Sequence, residues 1–112
     1  MNSKTINSIS REQISELVIN CIKDFQQELD SEINLEEGEN TKLFGSGAQL
    51  DSMSLVSLIV NIEEAIEEEL NISITLADEK AMSRRVSPFG RISYLVDYIL
   101  ELLNEEMTGN NG

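Results

Sequence analysis

A chain of 112 residues has room for one domain with one modest core and not for two. Its 21 acidic and 8 basic residues leave a formal charge of −13, which repels nucleic-acid phosphates and anionic membranes and draws basic protein patches. Histidine is absent and cysteine occurs once, so Ser–His and Cys–His nucleophile pairs, an internal disulfide and a zinc knuckle are all closed.

Two further exclusions follow from the chain as a whole. No apolar run approaches bilayer length, and the opening "MNSKTINSISREQ" lacks the apolar centre of a signal peptide, so a cytoplasmic location and no membrane insertion are expected. Tryptophan is absent and only three Phe and two Tyr occur, so the core must be aliphatic.

Residues 1–9 carry no period and read as a flexible tail. Ser10 with Gln13 forms a plausible capping box, after which Ile14, Leu17, Val18, Cys21, Ile22, Phe25 and Leu29 recur at three- and four-residue steps. That is one stripe of a long amphipathic helix, with Cys21 expected as a small core residue. Residues 31–50 are broken by Gly38, Gly45 and Gly47 and read as a long functional loop, pinned by Ile33, Leu35, Leu43, Phe44 and Leu50.

A second helix is expected from Ser52 to Leu70, with Asp51 as its N-cap. "NISI" follows as a connector; Thr75 and Asp78 then suggest a short capped helix reaching Met82 or Ser83. Ser87-Pro88 supplies a cap and first-turn proline for a last helix, whose stripe is Ile92, Leu95, Val96, Ile99, Leu102 and Leu103. Residues 107–112 read as a second tail. No repeat and no convincing strand is present. The expected fold is all-α, a four-helix bundle of three long helices and one short, in a single domain over 10–106.

The second helix carries two faces. At about 100° per residue, Leu55, Ile59, Ile62, Ile66 and Leu70 fall together with Leu58 at their edge, which makes a core stripe. Well round from it lie Met53, Val56 and Val60, continued by Glu63, Glu64 and Glu67. Burial of the three apolar residues from another side, with the glutamates as a solvated face, is the plain explanation. The alternative is a docking strip in which apolar contacts supply the energy and acids steer a basic partner.

Ser52 lies in the first turn of that helix, where free amides and the helix dipole favour negative charge. A phosphate ester on its oxygen would suit that position, although a serine there can equally be a cap. With no histidine to act as base, Ser52 suits modification by another enzyme better than attack on its own account.

The stretch "LDSMSLVSLIVNIEEAIEEEL" resembles the signature of acyl carrier proteins, in which an Asp-Ser-Leu triplet opens the second helix. Here the triplet reads Asp51-Ser52-Met53, and "NISI" and "LVDYI" look like the family's later segments; the likeness spans roughly 10–103. It implies that Ser52 receives a covalent 4′-phosphopantetheine arm from coenzyme A through a separate magnesium-dependent phosphopantetheinyl transferase. The arm's thiol would then hold acyl groups as thioesters for partner enzymes, while the carrier itself catalyses nothing and binds no metal. Partners with basic patches would dock on the second helix through Asp51, Met53, Val56, Val60, Glu63 and Glu64, with Glu67 added from helix geometry. The expected state is a monomer.

Three departures from the family pattern stand out. Ser54 and Ser57 occupy positions where fatty-acid carriers commonly have acids, the second helix is about one turn longer, and 71–91 is extended and includes Arg84, Arg85 and Arg91. They widen the expected pathways from fatty acid biosynthesis to lipid modification, polyketide, aminoacyl, peptidyl or polysaccharide chemistry. The rival from another class is an acidic helical adaptor for a basic protein, with Ser52 only a cap. An enzyme finds little to work with: "GSG" at 45–47 lacks the lysine of a phosphate loop, and no loop has the ligand spacing of an EF-hand.

Overall fold

The first apolar stripe closes into helix α1, Arg11–Leu29. Ser10 Oγ accepts the Gln13 amide at 3.1 Å, which satisfies one of the orphan donors at the helix start. Ile14, Leu17, Val18, Ile22 and Phe25 are buried. Cys21 departs from expectation: it is only half-buried and packs at the margin of the core. Its thiol is pushed up to about 11 by burial, with the charges of Asp24 and Glu69 adding to the effect.

A computed structural model describes residues 9–29, 33–45, 49–77, 81, 85 and 87–109. Within them the chain is all-helical, with α1, a 3-10 helix at Gly38–Asn40, α2 at Ser52–Leu70 and α3 at Ile92–Gly109. α1 packs against both α2 and α3, and the 3-10 helix packs against α3. Of the short helix expected after Thr75, Leu76 and Ala77 form a bend and Ala81 is helical and buried in the core, while 78–80, 82 and 83 lie outside the described residues. Residues 1–8 and 110–112 also lie outside them, while α3 continues through 107–109 into the segment expected to be a tail.

Polar side chains and one edge contact tie down the segment between α1 and α2. Gln26 Oε1 accepts the Ile33 amide at 2.7 Å, and Gln49 pairs with the backbone of Asn34 in both directions. Ile33, Leu43 and Leu50 are buried and Leu35 is partly so. Phe44, expected as a fifth pin, is instead 39% exposed. The chain passes from an isolated bridge residue, Lys42, into a bend at Phe44. Leu43 turns inward beside its amide's bond to Gly90 O at 2.9 Å, which leaves Phe44 outward.

That same contact moves the start of the last helix. Lys42 and Arg91 form an isolated antiparallel bridge, and Thr41 O accepts the Ile92 amide at 3.0 Å. Ser87-Pro88 was expected to open the helix, but Ser87 Oγ takes the Phe89 amide and Ser87 O takes that of Gly90. The pair makes a turn, and a carbonyl from 51 residues upstream, that of Thr41, receives the amide of Ile92, the first helical residue. Arg91 Nη1 also donates to Asn40 O at 2.7 Å. At the other side of the 3-10 helix, Arg11 pairs with both Glu39 and Asp97, so one guanidinium joins α1, the loop and α3.

Burial in α2 and α3 follows the expected stripes, with Leu58 fully enclosed and not at an edge. Leu70 is only partly buried. In α3, Tyr98 joins the aliphatic stripe at 1% exposure. No strand occurs among the described residues, and no helix there is long and apolar enough to cross a membrane.

Candidate functional site

Asp51 adopts an extended backbone (φ −86°, ψ 177°), the conformation an N-cap needs, and its Oδ1 accepts the Ser54 amide at 2.8 Å. Its main-chain oxygen takes the Leu55 amide at 2.9 Å and so begins the helical ladder. The Ser54 amide, then the Ser54 hydroxyl, hold the Asp51 carboxyl below its ordinary value, so it is ionised at neutral pH. The capping role is thus filled one residue before Ser52. Ser52 stands exposed as the first helical residue, and its hydroxyl makes no hydrogen bond among the described residues.

Along the helix from Ser52 runs an exposed apolar line. Met53 is 82% exposed, Val56 58% and Val60 44%, so no other part of the described fold covers them. Their burial from a second side, the plain explanation of the sequence pattern, is overturned. The run from Met53 to Glu67 spans about 21 Å at the helical rise. An open groove of about 550 Å³ flanks it, where Met53, Val56, Ser57 and Val60 face Phe25 and Glu28 of α1.

The acidic half of the strip is less uniform than its spelling. Glu64 and Glu67 are exposed as expected. Glu63 is partly buried, and its Oε2 accepts the backbone amide of Leu76 at 2.7 Å. This carboxylate therefore has a structural partner in the connector as well as a place on the α2 surface. Asn71 ends the helix in the left-handed conformation (φ 60°) and donates its amide to Glu67 O at 2.9 Å. No basic residue occupies the last turn of α2, where Glu67, Glu68 and Glu69 are all exposed.

The structure thus brings Asp51, Ser52, Met53, Val56 and Val60 together with Glu64 and Glu67 on one side of one helix. Glu63 is diverted from it in part. Residues that sequence reasoning did not assign to the site are Phe25 and Glu28, which form the groove's far wall. Their signal was available in principle, because an α1 antiparallel to α2 sets its final turns beside the start of α2. Leu76 had no such signal, since a backbone amide has no spelling. Among the described residues no group of three or more Asp, Glu or Cys side chains could hold a metal ion. No protein-family model, curated protein or solved structure matches this chain.

Proposed function

We propose that the chain is a discrete carrier protein modified on Ser52 with 4′-phosphopantetheine, and that partner enzymes dock on the exposed line of α2. The observation that carries the reading is the division of labour at the start of α2: Asp51 caps, and the neighbouring Ser52 is exposed, with no hydrogen bond to its hydroxyl among the described residues. The residues present fit such a group. Ser52 and Met53 amides, at the first two positions of α2, precede the helix's own acceptors and favour an anionic oxygen nearby. The groove beside Met53, Val56 and Val60 offers apolar surface next to the attachment point. When bound, the group would supply a thiol that carries acyl cargo as a thioester.

The chain's own residues have simpler tasks in this reading. Asp51 fixes the helix start and thereby the direction of Ser52. Met53, Val56 and Val60 offer contact area, and Glu64 and Glu67 orient a basic docking surface by charge. An acidic adaptor that binds a basic protein shares this strip, but it gives no role to an exposed hydroxyl beside a cap already filled. Incubation with coenzyme A and a broad-range phosphopantetheinyl transferase should add the mass of one phosphopantetheine arm to the intact protein. Ser52→Ala should abolish the gain. An unchanged mass, under conditions that load a control carrier, would favour the adaptor.

A further inference from the structure

Glu63 has two surfaces to serve and one carboxylate with which to serve them. It lies on the α2 side that includes Val56, Val60 and Glu67, and its Oε2 also receives the Leu76 amide at 2.7 Å. Beyond Asn71, this is the single hydrogen bond described for the backbone of residues 72–77. The rest of the connector is held by alternate side chains: Ile72 and Ile74 are partly buried, and Leu76 is completely enclosed. Removing this tether leaves a buried amide without the partner described for it, which costs more than the loss of an average surface contact.

We propose that Glu63 is a latch, released when an arginine of a docking partner takes its carboxylate, and that release frees the connector and loosens the core around Leu76. Arginine is specified by geometry. A guanidinium grips a carboxylate through both oxygens in a planar fork, whereas the Leu76 amide needs one of those two. Each carboxylate oxygen can accept two hydrogen bonds, so the fork displaces the amide by turning the carboxylate toward the partner and not by filling Oε2. A lysine ammonium, a point donor, can sit on Oε1 and leave Oε2 in place. The strongly acidic surroundings favour the approach of such a cation, and the exposed valines supply a surface on which it can settle.

The inference rests on docking along α2 as proposed above, and it can fail separately from modification at Ser52. The test is a titration of the full, unmodified chain with a hexa-arginine peptide at low ionic strength, read by NMR as the exchange rate of the Leu76 amide. Saturating peptide should speed that exchange on the order of tenfold in the wild type, as expected for loss of a hydrogen bond to a charged acceptor. Glu63→Gln retains an oxygen for Leu76 but no charge, so its Leu76 amide should stay slow and ignore the peptide. Glu63→Ala should exchange fast from the outset. The latch is overturned if the peptide shifts Val60 and Glu67 while wild-type Leu76 exchange stays constant, or if wild type and Glu63→Gln accelerate equally. It is also overturned if the peptide leaves α2 untouched. Because the probe involves no pantetheine, any of these results can coexist with successful loading of Ser52, and the converse holds.

Discussion

Asp51 Oδ1 and the Ser54 amide lie 2.8 Å apart, and this bond separates the residue that starts α2 from the residue that presents a hydroxyl. If Asp51 is the cap, Asp51→Ala should lower the thermal midpoint by several degrees, whereas Asp51→Asn, which keeps a side-chain oxygen, should recover most of the loss. Ser52→Ala should leave the midpoint near wild type. Equal destabilisation by Ser52→Ala and Asp51→Ala in a circular-dichroism melt would assign capping to the wrong residue.

Exposure of the α2 strip makes a sharp contrast with its opposite face. Leu58 is fully enclosed, and Leu58→Ala should cost about 2–5 kcal/mol in urea unfolding. Val56→Ser or Val60→Ser should each fall within about 0.5 kcal/mol of wild type. The valine variants should nevertheless weaken partner engagement. A large stability loss at Val56 would mean that the side chain is packed.

The Arg11 contact with Glu39 predicts a specific dependence on pH. The Ser15 hydroxyl and then Arg11 hold the Glu39 carboxyl below its ordinary value, against the opposing effect of burial. Such a depressed carboxylate stabilises the fold fully above its unfolded value, and the benefit disappears as pH falls through its folded value. The gap in thermal midpoint between wild type and Glu39→Gln should therefore be constant near neutrality and close in acid below about pH 4. A gap that widens on acidification would contradict the assigned contacts.

Cys21 should be slow to react in the folded protein. Its thiol is pushed from 9.0 up to about 11, which lowers the thiolate fraction at neutral pH about a hundredfold. Alkylation by iodoacetamide, followed by intact mass, should be slower in buffer than in urea by at least that factor. Equal rates would show that neither burial nor the charges of Asp24 and Glu69 reach the sulfur.

The helices were readable because their information is local. Ile14, Leu17, Val18 and Ile22 in α1, or Ile92, Leu95, Val96 and Ile99 in α3, repeat at the helical step and need no distant partner to declare their face. The N-cap Asp51 is equally local, with its acceptor three residues from its donor. Features that depend on chain segments far apart were hidden. Pro88 could open a helix by its own conformation, but Thr41 O and Gly90 O join two remote segments and delay the start to Ile92. Phe44 matches an inward pattern until Leu43 takes the inward side. Tyr98 offered no hint that its ring would be enclosed, because tyrosine commonly keeps a wet tip. At the candidate site the same division applies: helix rotation sets Met53, Val56 and Val60 apart from the core stripe, but whether another segment covers them, like the tie from Glu63 to Leu76, depends on how distant parts of the chain fold back.

The glutamate-rich last turn of α2 also governs how the free molecule should respond to simple electrolytes. Its acids face one another and the negative pole of their own helix, with no cation in that turn to balance them. Proteins held together by surface ion pairs weaken as electrolyte is added, but here the dominant effect is the screening of self-repulsion. The melting midpoint should consequently climb between dilute and molar sodium chloride, so a cationic companion can act as a thermal stabiliser merely by neutralising this end.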